Sequence, residues 1–118
     1  MRFAFALALT LAPALAAATP YDGVYRQHAN AECALVGVNG GALKIEDGIF
    51  YGVEMECRMT RPVRVVNMDA TLYTMTCSGD DQIWTERAML MNDAQDDGGI
   101  IMVWDGYAFR YSRCPDPA

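Results

Sequence analysis

The residues able to do chemistry in this 118-residue chain are few and scattered. The single histidine, His28, sits in Gln27-His28-Ala29-Asn30-Ala31-Glu32, a polar connection. A general base needs a proton to abstract within hydrogen-bond reach. The two serines, Ser78 and Ser112, stand outside any nucleophile-elbow pattern. His28 therefore reads as an exposed loop residue. Glu54 and Glu56 are a carboxylate pair two residues apart. On one strand that spacing is roughly 6–7 Å, compatible with the acid/base pairs of glycosidases. Because Tyr51, Val53, Met55 and Cys57 alternate with them, the same spacing describes a solvated strand face, the reading adopted here.

Metal chemistry fares no better. Asp93, Gln95, Asp97 and Gly98 imitate the start of a calcium loop, but Trp104 occupies the twelfth position, where a bidentate glutamate is required. That stretch reads as a solvated acidic loop. The motifs Met55-x-Cys57-x-Met59 and Met89-x-Met91 offer soft thioethers of the kind that hold Cu(I). Methionine also fills irregular gaps in apolar cores, and these positions are expected to point mostly inward. No cofactor is expected. Arg58, Arg61 and Arg64 form the one basic patch, expected to pair with Glu54, Glu56 or Asp69. Tyr21, Tyr25, Tyr51, Trp84, Trp104, Tyr107, Phe109 and Tyr111 either pack a core or line an open mouth for a small apolar ligand.

What must hold these residues in place begins after an export signal. Met1-Arg2, an apolar stretch from Phe3, Pro13 and small-x-small sites ending at Ala16 and Ala18 have the layout of a secretory signal peptide over residues 1–18. The run Phe3–Ala18 is sixteen residues, short of the ~20 that span a bilayer. No later segment is long and apolar enough to span. Residues 19–118 then form a single β domain of 100 residues, periplasmic or secreted. Its cysteines, Cys33, Cys57, Cys77 and Cys114, are 24, 20 and 37 residues apart. Zinc sites favour cysteines two to four residues apart, so two disulfides are expected.

The segments between turns alternate as strands do. They are Gly23–Arg26, Ala42–Glu46, Ile49–Cys57, Thr71–Cys77, Ile83–Met91, Ile100–Trp104 and Tyr107–Arg113, with Asp-Gly turns at 22–23, 47–48, 97–98 and 105–106. No stretch keeps helical spacing. The expected fold is all-β, a small antiparallel meander barrel of six to eight strands stapled by two disulfides. Counting strand directions, with Cys33 opening a strand that turns at Asn39-Gly40, favours the pairing Cys33–Cys77 and Cys57–Cys114.

Asp22-Gly23-Val24-Tyr25, Cys77-Ser78-Gly79-Asp80 and Tyr111-Ser112-Arg113-Cys114 resemble short motifs of small exported four-cysteine β proteins of bacteria. The chain is also distantly similar to the small β-barrel inhibitors of c-type lysozyme. Those carry a Ser-Gly-x-x-Tyr loop; here Ser78-Gly79-Asp80-Asp81 is followed by Gln82. The sparse inventory favours a non-enzymatic binding module, and the resemblance implies its specific form, an inhibitor of a basic hydrolase acting through Ser78, Gly79, Asp80, Asp81 and Gln82. Charge agrees. Without Arg2, eight cationic residues face fifteen acids, a net −7. That disfavours nucleic acid, which demands a basic face, and suits a basic protein partner.

Overall fold

The computed structural model describes residues 18–116. The signal-peptide reading falls on residues 1–18, and so lies outside the described residues except for Ala18. Strand β1 is Gly23–Arg26, β2 Glu32–Val36, β3 Gly41–Glu46, β4 Ile49–Gly52 and β5 Met55–Arg64. They are followed by β6 Ala70–Gly79, β7 Gln82–Asn92, β8 Ile100–Trp104 and β9 Tyr107–Arg113. All except β2 close into an eight-stranded antiparallel barrel in the order β1-β9-β8-β7-β6-β5-β4-β3, shut by β3 pairing with β1. The expected all-β barrel is the observed one, at the upper end of its strand count.

Alternation builds the interior. Tyr25, Leu43, Ile45, Phe50, Cys57, Met59, Tyr73, Met75, Cys77, Ala88, Leu90, Ile100, Met102 and Trp104 are buried in one cluster. Successive strand side chains point to opposite faces, so the intervening Thr76, Thr85, Arg87 and Arg110 stay exposed. Burying each large apolar side chain contributes roughly 1.5–3 kcal/mol. Met59, Met75 and Met102 are core residues, as expected, whereas Met68 is exposed and Met89 and Met91 are only half-buried.

The turns explain most of the register. Asp47 and Gly48, with φ of 52° and 74°, join β3 to β4. Positive φ at both central residues matches the twist of the flanking strands. Asp105-Gly106 joins β8 to β9. The other two Asp-Gly pairs close no hairpin: Asp22-Gly23 leads into β1, and Asp97-Gly98 lies inside the β7–β8 loop. That loop is tied internally. Asp93 accepts the Gln95 backbone N–H at 2.9 Å, Gly99 N–H donates to the Asp96 carbonyl, and Ser112 Oγ donates to the Asp96 carboxylate at 2.7 Å. Asp93 is buried, not solvated, with the Arg110 guanidinium 3.7 Å away.

The disulfides are Cys33–Cys114 and Cys57–Cys77, which overturns the expected pairing of Cys33 with Cys77 and Cys57 with Cys114. Two features shift the strand count. The chain reverses at Val53-Glu54, inside the expected Ile49–Cys57 strand, so Cys57 opens β5 instead of closing β4. Cys57 then lies directly opposite Cys77. In addition, β2 is not a meander strand; it pairs in parallel with the first residues of β3. Cys33 is thereby carried to Cys114, whose N–H donates to the Val24 carbonyl at 2.8 Å. Two disulfides, with no free cysteine among the described residues, fit an oxidising, extracytoplasmic environment.

Candidate functional site

The turns Val53-Glu54, Asp80-Asp81 and Asp105-Gly106 emerge at the same end of the barrel, because antiparallel neighbours reverse there. The expected partner-binding stretch Ser78–Gln82 is one of them. Ser78 and Gly79 end β6, Gln82 opens β7, and Asp80 and Asp81 form the two-residue link with φ of 49° and 57°. Ser78, Asp80, Asp81 and Gln82 are all exposed. The tip is stiffened from below: Cys77, one residue before Ser78, is bonded to Cys57. Gly79 packs against the neighbouring hairpin so closely that a Cβ there would stand 2.8 Å from the Glu54 carbonyl oxygen.

That contact brings Glu54 and Glu56 beside the tip. Gly79 pairs with Met55 and Ser78 pairs with Glu56. The two glutamates do not share a strand face as expected: Glu54 sits in the β4–β5 turn with φ of 52°, held by its N–H to the Gly37 carbonyl at 2.8 Å, while Glu56 is in β5. This end therefore carries Glu54, Glu56, Asp80 and Asp81, all exposed. The ion pairs among the described residues are Lys44–Glu46 and Arg110–Asp93. Arg58, Arg61 and Arg64 thus do not make the expected salt bridges with Glu54, Glu56 or Asp69 there. All three arginines are exposed on β5.

Beneath the tip the barrel opens into an aromatic mouth. A cavity of about 220 Å³ is lined by Phe50, Met55, Trp84, Trp104, Tyr107 and Phe109, with Glu86 at its side. The rings run as a connected set. Phe50 meets Trp104 edge-on at 6.0 Å, Trp104 stacks on Tyr107 at 6.2 Å, and Phe109 stacks on Tyr111 at 5.8 Å. Trp84 Nε1 donates to the Glu86 carboxylate at 2.7 Å, so both polar groups are satisfied within the wall. Burial, and then the Glu86 charge, raise the Tyr107 phenol above its ordinary value. Burial, and then Tyr107, push Tyr111 much higher. Of the aromatic residues singled out in the sequence, Tyr21 and Tyr25 are core residues and Tyr51 lies under Lys44 Nζ at 5.0 Å.

A larger cavity of about 540 Å³ lies at the other end, among Ile49, Met59, Pro62 and Tyr73, with Arg58 and Arg64 at its rim. Ala18, Thr19 and Pro20 also line it, so it adjoins the expected signal cleavage point. Tyr21 is buried edge-on to Tyr73, with its hydroxyl 3.1 Å from Thr71 Oγ1.

Two features of this end of the barrel escaped sequence reasoning. One is Ile83, apolar yet 82% exposed on the outer face beside Ser78. The other is the end of the β7–β8 ladder at Ala88↔Trp104, which leaves Gln82–Arg87 paired only with β6. His28 is exposed in the β1–β2 connection. Among the described residues no three histidine, cysteine or acidic side chains converge as metal ligands, and no helix is long and apolar enough to cross a membrane. Comparison with protein-family models, with curated proteins and with solved structures finds no match to this chain.

Proposed function

We propose that this protein is a periplasmic or secreted, non-enzymatic binding module that engages a basic protein partner through the Ser78–Gln82 hairpin, in its most specific form as an inhibitor of a basic hydrolase. The observation that carries this reading is the rigid acidic tip. Asp80 and Asp81 project from a two-residue turn, Glu54 and Glu56 flank it, and the Cys57–Cys77 bridge holds its base. A tip already fixed in shape loses little conformational freedom on docking, which favours affinity. Complementary charge accelerates encounter by about 10–1,000-fold at low salt. The non-enzymatic reading is supported by the inventory: the cysteines are bridged and His28 is exposed on a loop.

The second reading is a barrel that takes a small apolar ligand in its aromatic mouth, supported by the linked rings of Phe50, Trp104 and Tyr107. The size of this mouth supports the first reading over the second. Ligand sites commonly measure about 300–1,000 Å³, and this mouth holds about 220 Å³.

The experiment is capture from an envelope or secretion extract at low salt, with wild type and an Asp80→Asn/Asp81→Gly variant. Asn-Gly keeps the turn and removes both charges. A single stoichiometric basic protein, lost on the variant and in high salt, is the expected outcome. Equal capture by both would overturn the assignment of the tip. A saturable change in tryptophan emission with hydrophobic ligands, without protein capture, would favour the second reading.

A further inference from the structure

The barrel's long strands outrun their neighbours and leave two stretches of free edge, and the chain treats them differently. On the β4 side of β5, register pairing ends at Ile49↔Arg58 and a last bond runs from Met59 N–H to the Gly48 carbonyl. The following stretch carries Arg61 with φ of 51°, a register shift between Thr60 and Val63, and Pro62. A bulge and a proline are the devices that stop an edge from pairing. On the β8 side of β7, pairing ends at Ala88↔Trp104, and Gln82–Arg87 has no β partner there among the described residues. This second edge holds no proline, no bulge and no positive φ. Ile83, Trp84 and Thr85 are instead strong strand formers.

The direction of the free groups follows from the register. Gly79 and Gln82 close a two-residue hairpin and exchange hydrogen bonds. Alternation then gives Trp84 and Glu86 to β6 and turns the N–H and C=O of Ile83, Thr85 and Arg87 outward. Side chains alternate too. Trp84 and Glu86 face the mouth, while Ile83, Thr85 and Arg87 are exposed on the outer face.

We infer that the Gln82–Arg87 edge of β7 is a docking strip, onto which a basic partner adds an extended segment as a further β-strand. This rests on the basic-partner reading above and names its mode of binding. Charge selects the occupant. The strip follows the Asp80-Asp81 turn, adjoins the hairpin bearing Glu54 and Glu56, and has Glu86 on its inner face, against one cation, Arg87, at its far end. A second copy of this acidic chain, net charge −6 over its full length, meets like charge there, whereas a cationic strand is attracted. Main-chain bonds supply the affinity in such strand addition, and alternate side chains supply the selectivity. Inward side chains of the added strand would lie beside Trp84 and Tyr107 at the mouth, and outward ones beside Ile83.

The test follows individual backbone amides of the full mature protein by NMR hydrogen exchange. The probe is a capped alternating lysine–valine octapeptide. Its control is the same peptide N-methylated at every residue, which keeps the charge but leaves no N–H on either edge to form a ladder. In the free protein the Ile83, Thr85 and Arg87 amides should exchange fast while Trp84 and Glu86 are protected. The plain peptide should protect the first three, and the N-methylated one should not. Thr85→Pro removes an outward N–H without touching the β6 ladder and should weaken the plain peptide about tenfold or more. If that variant does not fold, the comparison of the two peptides on wild type stands alone. Equal binding of both peptides, with shifts confined to Glu54, Glu56, Asp80 and Asp81, would overturn strand addition and leave the acidic tip intact. Binding of neither peptide would overturn strand addition, and failure to capture any basic protein would overturn the reading beneath it. Concentration-dependent protection of the three amides without peptide would assign the edge to a second copy.

Discussion

Cys57 and Cys77 face each other directly across β5 and β6, with 3.9 Å between their Cα atoms, and their bridge lies one residue below the exposed Ser78–Gln82 tip. The other bridge does a different job: Cys33–Cys114 ties β2, the strand outside the barrel, to the residue that follows β9. One closes a loop of 20 residues and the other a loop of 81. Chain-entropy arguments give about 3 kcal/mol for the first and about 4.5 kcal/mol for the second. Urea unfolding of Cys57→Ala/Cys77→Ala and Cys33→Ala/Cys114→Ala variants should rank in that order. Partner capture should rank the other way, since only the short bridge stiffens the tip. A Cys57→Ala/Cys77→Ala variant that keeps full capture would separate the bridge from function.

The turn at Asp80-Asp81 stores conformational tension that can be released. Left-handed backbone costs an ordinary residue about 1–2 kcal/mol, and aspartate less than most. Both residues occupy it, with φ of 49° and 57°. Asp80→Asn/Asp81→Gly relieves part of that strain while glycine adds unfolded-state entropy, so stability should stay within about 1 kcal/mol of wild type and not fall, measured by thermal or urea unfolding, even as salt-sensitive capture is removed. Asp81→Val should instead lower stability by about 1–2 kcal/mol, because a β-branched residue tolerates positive φ poorly. Stability that falls in the Asn-Gly variant would show that the carboxylates hold the turn.

These turns also show how far the fold could be read in advance. The strands β1, β8 and β9 were legible to the residue, because apolar alternation and Asp-Gly punctuation agree there. The β4–β5 hairpin was not. Valine and glutamate are not turn formers, Gly52 lies before the link instead of in it, and the Glu54 conformation is secured by a tertiary bond to Gly37. Missing one reversal inverted the apparent direction of Cys57 and with it the disulfide pairing. Ser78–Gln82 was legible as a polar turn, but its rigidity and its acidic neighbours depend on pairing across β5 and β6. The free edge of β7 went unread, although the expected strand Ile83–Met91 is longer than Ile100–Trp104 and that mismatch was a signal for it. Only the register shows which half is uncovered.

Tyrosine burial sets an alkaline limit. Burial is the main cause that raises the phenols of Tyr25, Tyr73 and Tyr111; for Tyr25 the Arg113 charge opposes it in part. Below pH about 10 these groups are protonated in both folded and unfolded chains, so their contribution is fully present. Above that value the unfolded chain releases protons first, and stability falls as pH rises toward the folded-state values. The slope reaches at most about 1.4 kcal/mol per pH unit for each tyrosine. Urea midpoints should be flat from pH 8 to 9.5 and then decline, and Tyr111→Phe should make the decline shallower. A midpoint that holds steady to pH 11 would contradict this.

Two apolar residues on one strand should respond in opposite ways to truncation. Leu90 and Ile83 are both in β7, but Leu90 is 0% exposed in the core and Ile83 is 82% exposed on the outer face. Leu90→Ala leaves a cavity among packed side chains and should cost about 2–5 kcal/mol. Ile83→Ser removes little buried area and should stay within about 0.5 kcal/mol of wild type. On the proposed reading, an exposed isoleucine beside the acidic tip and on an unblunted edge is part of the surface a partner would meet. Ile83→Ser should accordingly weaken partner capture while Leu90→Ala, once refolded at low temperature, leaves it unchanged. If Ile83→Ser unfolds the protein, the side chain has a structural role and the outer face of β7 is not available to a partner.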